Sequence, residues 1–486
     1  MDRSSRHPGA GPAGFRPLSR RSLVLGGGLA GLAAAVRLAD AGVAVTLVEG
    51  SGRLGGRATS HRDPVSGELI DNCQHVLLGC CTNLLDFYQR LGVAETIEWH
   101  RCLYFVDRSG CESRLEAVDL PAPLHLAPAL WRLGTLAPAD KLAISRGMWA
   151  ILRMSPAERV DTGHMSFGDW LQQHHQPPAA IDRFWDLVIV SALNQRAESA
   201  CCAHALQVFA QGFLSHPRAY QVGVPRCPLR HLYDPAVERI EARGGQVRLG
   251  VHVDRLAYDG AGISAVHTSD GELLEAGHYI SALPFDRLAS VADRDLAAAD
   301  PRLAGLDRFE CSPILGVHLW FDRPVMQRPH AVLVDSPLQW VFNKGPAPGG
   351  DPGGQYLHVV VSAADRWMPC DGSQIVSDVV SELRHYLSAV RAARLVRGQA
   401  IKERRATFAS RPGIDAIRPE ARGPVANLLL AGDWCRTGWP ATMEGAVRSG
   451  YLAAAAIAGD ERPALAAELP TSEICRWVGG RKAAGR

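Results

Sequence analysis

Apolar positions along this chain recur with two different periods, and the changes of period mark its elements. Leu23-Val24-Leu25 is a short apolar run that stops at Gly26-Gly27-Gly28. Leu29, Leu32, Ala33 and Val36 then follow at helical spacing until Gly42, and Val43 to Val48 reads as a β-type run. The opening therefore predicts strand, glycine turn, helix and strand. β character resumes at Gly244-Gly245-Gln246-Val247-Arg248-Leu249, with Val251 and Val253 at period two, and Ile280-Ser281-Ala282-Leu283-Pro284 ends a further strand. A third run, Asn427 to Leu430, precedes a helix predicted from Thr442 to Ala456. Residues 86–224 differ, with Trp131, Trp149, Trp170 and Trp185 set among many helical patterns. The pattern predicts an α/β fold, a Rossmann-type dinucleotide domain interleaved with an α+β domain that would hold substrate. We set the dinucleotide segments at 18–85, 225–290 and 415–460 and the substrate segments at 86–224 and 291–414. Residues 1–17, rich in Gly, Pro, Ser and Arg, read as a disordered tail, 461–486 as a C-terminal tail, and Gly345 to Gly354 as a loop.

The glycines at 26, 28 and 31 have the spacing of a dinucleotide turn. One makes the tight bend, one lets backbone approach a diphosphate, and one brings helix close to strand. The diphosphate would sit at the helix N-terminus, against the N–H groups of Leu29 and Ala30. Glu49, about twenty residues on, is placed to accept hydrogen bonds from a ribose diol. A structural glycine turn is the plain alternative, and strand, helix, strand and acid in register weigh against it. Gly55-Gly56-Arg57 adds a second glycine turn with a fixed cation, which favours FAD over NAD. Near the C-terminus, Leu430-Ala431-Gly432-Asp433 brings a carboxylate to a strand end, where Asp433 would bond the ribityl or diphosphate region. The N–H groups around Thr442 and Met443 would face the negative N1 and O2 locus of a reduced flavin. Another strand-to-helix turn is the plain alternative.

These residues resemble the amine oxidase and phytoene desaturase superfamily of FAD flavoproteins, which implies an amine oxidase-like fold. Three further segments are similar to the hydroxysqualene dehydroxylases, squalene-associated FAD enzymes of bacterial hopanoid pathways. They are Ile70-Asp71-Asn72-Cys73-Gln74-His75-Val76-Leu77-Leu78-Gly79, Ser191-Ala192-Leu193-Asn194, and Gly432 through Gly450, with Cys73 standing where that resemblance calls for glycine. The resemblance implies that Val253 presents its backbone to adenine. It also implies that reduced flavin delivers hydride to an allylic carbon of hydroxysqualene as the oxygen leaves. Such chemistry needs an acid and an apolar, water-excluding tunnel. His75 and Asp71 are candidate acids or relays, and Glu444 is a rival. A satisfied structural histidine and a strand-end aspartate are the plain readings of the first two. Asn194 is either a polar gate or an ordinary helix end. The runs Phe184 to Val190 and Leu315 to Phe321 are either tunnel lining or core.

Composition narrows the partners. With 52 basic and 50 acidic residues among 486, the chain shows no charge excess that would hold nucleic acid. Its twelve cysteines include no C-x-x-C, and the pairs Cys80-Cys81 and Cys201-Cys202 lack metal-type spacing, so we expect no metal, mostly buried thiols and a reducing, cytoplasmic setting. Ser19-Arg20-Arg21-Ser22 resembles a twin-arginine export signal, but the apolar run after it is committed to the first strand. No apolar stretch reaches the length of a membrane span. A long terpenoid substrate nevertheless predicts peripheral membrane contact, for which Leu124 to Leu133, with Trp131 and Arg132 at its rim, is the candidate; an inward-facing amphipathic helix is the alternative. One dinucleotide fingerprint leaves the electron donor external. An oxidative desaturase, an amine oxidase and a noncatalytic FAD scaffold remain as alternative functions.

Overall fold

A computed structural model describes residues 21–346, 353–459 and 463–480. The N-terminal tail, Arg20 and most of the 345–354 loop lie outside them. The strands that build the site are β1 (Arg21–Leu25), β2 (Ala44–Glu49), β3 (Cys102–Val106), β4 (Glu112–Glu116), β5 (Gln246–Leu249), β6 (His278–Ser281), β7 (Cys311–Phe321), β8 (His330–Leu333), β9 (Trp340–Pro346), β10 (Gln355–Ser362), β11 (Leu395–Phe408) and β12 (Leu428–Leu430). The helices are α1 (Leu29–Asp40), α2 (Thr82–Arg90), α3 (Ala127–Arg132), α4 (Pro138–Arg153), α5 (Gly372–Tyr386), α6 (Met443–Ala458) and α7 (Glu473–Gly480).

Strands from distant parts of the chain form one parallel sheet in the order β5-β2-β1-β6-β12. Alternation along β1 sends Val24 to the core around α1, and Leu23 and Leu25 to a second core with Val253, Leu256 and Val266. Helix α1 is buried along almost its whole length because α6 covers its outer side. The two helices meet so closely that a Cβ on Gly450 would lie 2.2 Å from the Ala30 carbonyl oxygen.

The second sheet runs β11-β7-β10-β9-β8-β3-β4, antiparallel except where β8 meets β3. Its two faces differ. Leu315, Val317, Leu319 and Phe321 of β7 join Leu357 and Val359 of β10 in a core beneath α5. The alternate positions place His318, Trp320, Tyr356 and His358 together on the opposite face, with Trp320 stacked on Tyr356 at 4.8 Å. The tunnel expectation for 315–321 thus divides by alternation, the odd-numbered residues being core. In Phe184 to Val190, Trp185, Ile189 and Val190 are buried, and Trp185 packs on Phe209 and Phe167.

Residues 463–480, expected within a C-terminal tail, include helix α7. It rests on α4, where the Cys475 thiol donates to the Leu214 carbonyl at 3.1 Å and Ser472 Oγ to the Ala122 carbonyl at 2.5 Å. No helix among the described residues is long and apolar enough to cross a membrane.

Candidate functional site

Between β1 and α1 the chain turns through Gly26, whose φ of +105° is open to glycine but costly for other residues. Gly31 sits so close beneath the turn that a Cβ there would lie 1.9 Å from the Gly26 carbonyl oxygen. Gly28 is different: the nearest heavy atom to its would-be Cβ is Gly56 Cα, at 3.8 Å. The two glycine turns thus face each other across Gly28 and Gly56, with Gly55 N donating to the Gly27 carbonyl at 2.9 Å. Gly28 is also the N-cap of α1 and offers no side-chain cap. An open cradle of backbone beside an uncapped helix start fits a dinucleotide diphosphate.

Glu49 ends β2 beside this turn, its Oε2 accepting from Gly27 N at 2.6 Å and its Oε1 from Ser51 N at 2.7 Å. The carboxylate is therefore held at the turn before any ribose is added. Val253, which follows β5 in chain, already accepts one hydrogen bond at its carbonyl, from Arg287 Nη2 at 2.6 Å.

Arg57 and Asp433, assigned separate cofactor roles on sequence, form an ion pair with each other and join the two ends of the chain. Gly432, before Asp433, has a φ of +150°, and its N–H donates to Ser449 Oγ of α6 at 2.8 Å. Behind it, the buried guanidinium of Arg418 donates through Nη2 to the carbonyls of Asp433, Cys435 and Trp439 at 3.1, 2.6 and 2.6 Å. Asp415 balances the charge of Arg418 and meets His204, whose Nδ1 lies 2.6 Å from Ser410 Oγ. Thr442 caps α6 by accepting from Gly445 N at 3.1 Å, while Met443 begins the helix.

Glu444 requires a correction. Its carboxylate is fully buried against α2, accepting from Asn83 N and Asn83 Nδ2 at 3.2 and 2.8 Å and from Leu84 N at 2.7 Å. It serves the uncapped start of that helix, which gives the buried carboxylate a structural role.

The segment 71–75 lies between the two sheets. Asp71 Oδ1 accepts from Ser60 Oγ at 2.7 Å and from Leu229 N, at a helix start, at 2.9 Å, and the residue also lines a small cavity with Lys344, Tyr356 and His358. Asn72 Nδ2 donates to the Arg57 carbonyl at 2.7 Å and to Glu403 Oε1 of β11 at 3.0 Å. His75 Nδ1 stands 2.9 Å from the Cys73 carbonyl, which only accepts, so the proton belongs on Nδ1 and Nε2 presents a lone pair. Burial holds the ring below its ordinary pKa, outweighing the Cys73 carbonyl and the charges of Asp71 and Glu403. A neutral imidazole of this tautomer is a relay or acceptor and a poor acid. Burial also pushes the Cys73 thiol up to about 12.

Asn194 ends its helix at φ +55°, its side chain bonded to Ser312 O, Thr407 Oγ1 and Ala363 N at 3.0, 3.0 and 2.6 Å. Those bonds tie helix to sheet, and the helix-end reading holds. The sequence reading missed Lys344, His358 and Arg418, none of which stands in a recognisable spacing, and took His318 only as part of a run that is either tunnel lining or core. No group of three or more metal-type ligands occurs among the described residues.

A parallel sheet with a glycine cradle at its strand ends, beside a second, largely antiparallel sheet, is an architecture suited to binding a dinucleotide. The chain belongs to the flavin-containing amine oxidoreductases, the family model matching residues 29–458. It is 27% identical over 455 residues to 15-cis-phytoene desaturase of Synechococcus elongatus, spanning 90% of this chain and 95% of that one. To hydroxysqualene dehydroxylase of Rhodopseudomonas palustris it is 29% identical over 448 residues, spanning 90% and 98%. The structure of wild-type putrescine oxidase bound to putrescine matches with a TM-score of 0.68 at 18% identity, over 91% of this chain and 99% of that one, a likeness of fold. The expected amine oxidase-like fold is the observed one, and the family's cofactor is a flavin.

Proposed function

We propose that this protein is an FAD-dependent enzyme that removes the hydroxyl group of hydroxysqualene reductively, giving squalene. The observation that carries the reading is the position of the segment 71–75, which resembles the dehydroxylases. Asn72 reaches from the Arg57 turn to β11, and its carbonyl lies 2.8 Å from where a Cβ on Gly316 of β7 would be. The segment thus joins the cofactor cradle to the inner wall of the substrate sheet. Gly26, Gly28, Leu29, Ala30 and Gly31 would hold the diphosphate with Gly55 and Gly56, Glu49 the ribose, and the Arg57–Asp433 pair with Gly432 and the start of α6 the flavin end. When bound, the reduced flavin would supply the hydride that replaces the hydroxyl, and the oxygen would leave as water with one proton drawn from solvent. The protein's part is to orient the allylic carbon, exclude water and place His75 Nε2 as a proton relay. Electrons come from an external donor.

The test is anaerobic single turnover with N5-deuterated reduced flavin and hydroxysqualene. We expect squalene carrying one deuterium, and deuterium-free squalene would rule out direct hydride transfer. His75→Ala should slow flavin oxidation at least tenfold, general acid–base assistance being worth about 100 to 10,000-fold. An unchanged rate at full flavin content would return His75 to a structural role. The similarity to phytoene desaturase favours a second reading, oxidative desaturation of a terpenoid, in which a more saturated substrate would instead bleach the oxidised flavin.

We also propose that the enzyme is cytoplasmic and meets the membrane from its surface. Leu124 and Trp131 are 46% and 49% exposed while Ala129 and Leu133 between and beyond them are buried, and Trp149 of α4 and Trp477 of α7 are exposed on adjoining helices. Trp and Arg side chains together suit the headgroup boundary.

A further inference from the structure

His358 lies in the middle of β10 and is 1% exposed, yet its Nε2 has no hydrogen-bond partner among the described residues. Its ring stacks on that of His318, with centroids 4.0 Å apart, and His318 Nε2 is equally unpartnered. His318 Nδ1 is engaged by the Tyr356 hydroxyl at 2.5 Å. A buried polar atom left unpaired costs free energy that an apolar side chain would not, and the same two strands carry Leu319, Leu357 and Val359 wherever apolar wall is required. Something polar is therefore expected to meet these rings.

The direction in which His358 faces identifies the place. Its Nε2 lies 3.1 Å from where a Cβ on Gly316 would be, so the absence of a side chain at 316 keeps the nitrogen uncovered. The cavity before it is lined also by Lys344, Asp71 and Tyr356. Lys344 Nζ donates to Gln74 Oε1 at 2.7 Å, which uses one of the three donors of an ammonium. Burial depresses the pKa of His358 well below its ordinary value, with His318, Lys344 and His75 adding to the effect, so the ring is neutral, with one nitrogen a donor and the other an acceptor.

A neutral imidazole nitrogen and a lysine donor facing one small space complement a group that both donates and accepts. A hydrocarbon would leave both unpaired. An ammonium ion would meet two basic side chains, Lys344 and Arg226, beside the single carboxylate of Asp71. We propose that His358 and Lys344 form a subsite for an alcohol, Nε2 accepting the hydroxyl proton and Nζ donating to the oxygen, so that the enzyme distinguishes a terpenoid alcohol from the hydrocarbon of the same skeleton. The identity of the alcohol rests on the dehydroxylase reading; the subsite itself does not.

The test is equilibrium binding of hydroxysqualene and squalene to the flavin-loaded protein, followed by perturbation of the flavin absorbance and by the shift in Tm. The wild type should bind the alcohol at least tenfold more tightly than the hydrocarbon. His358→Leu and Lys344→Met should each reduce that preference to threefold or less and leave squalene binding as it was, while His358→Gln, which keeps an acceptor, should restore part of it. Free His358→Leu should melt at or above the wild-type temperature, since an unpartnered polar group has been removed. Flavin-loaded variants that keep the preference, a wild type without one, or a His358→Leu protein that no longer folds would each overturn the proposal. A wild type that prefers the alcohol but never converts it would leave the subsite standing and remove the dehydroxylase reading; conversion without preference would do the reverse.

Discussion

In the parallel sheet, alternation along β1 separates one apolar layer from another, and the chemistry lies beyond the strand ends, in backbone. In the antiparallel sheet, alternation separates an apolar layer beneath α5 from a face of buried imidazoles and aromatic rings, and the chemistry lies in side chains in mid-strand. A site made of backbone depends on which residues lack a side chain. A site made of side chains depends on which strands the fold brings together. The first tolerates little change at a few glycines, and the second is open to retuning one residue at a time.

The largest effect should separate two glycines of one motif. Gly31→Ala places a methyl group 1.9 Å from the Gly26 carbonyl oxygen, so we expect loss of the folded dinucleotide domain, read as loss of the thermal transition. Gly28→Val places its Cβ in ordinary contact, 3.8 Å from Gly56 Cα, so the apoprotein should fold with a near-normal Tm and bind no flavin. Equal behaviour of the two would mean that the cradle is structural. Next, Arg418→Met removes the buried cation that gathers three carbonyls behind Asp433 and leaves them unpaired, and urea unfolding should show a loss of about 3 to 5 kcal/mol.

The polar face predicts a dependence on pH. His330 is wholly buried with no well-formed hydrogen bond to either ring nitrogen among the described residues, and burial, assisted by His100 and opposed by the Cys102 backbone, lowers its pKa to about 4. Between that value and an unfolded pKa near 6.5 the unfolded chain binds the extra proton, so stability falls as pH drops through this window. His330→Leu should remove this contribution and gain about 2 kcal/mol at pH 5 relative to wild type. A parallel pH profile for the two proteins would contradict it. The smallest effect is at Glu444, where glutamine keeps the shape but sets an N–H₂ against backbone donors. A loss of about 1 kcal/mol with an unchanged rate of flavin oxidation is expected, and a slowed rate at full flavin content would restore a role in the chemistry.

The same contrast explains what was legible in the sequence. Gly26, Gly28, Gly31 and Glu49 could be read because their geometry is local and conformational: a strand, a turn and a helix follow one another within a single βαβ unit. The strands of the five-stranded sheet were legible one by one as apolar runs, but not their order, because they come from distant parts of the chain. Arg57 and Asp433 were each noticed, but not as partners, since nothing in either neighbourhood reports the other. Glu444 was misjudged because proximity to the Thr442 turn says nothing about which side of α6 it occupies, and that side faces α2. Lys344 and His358 stand in strands where the pattern shows only alternation. Their convergence on Asp71 arises from strand order, which periodicity does not contain. Helix α7 escaped notice because one short amphipathic helix beyond a polar stretch looks like a tail.

The pairing of Arg57 with Asp433 also sets a schedule. The partners are 376 residues apart, and the main outer cover of α1 comes from α6, which follows Asp433. At a ribosomal rate of roughly 5 to 20 residues per second, that side of α1 waits for some 20 to 85 seconds before this cover exists. The earliest-made part of the site is therefore the last to be enclosed, and throughout elongation it is a surface that chaperones, or other nascent chains, can reach first.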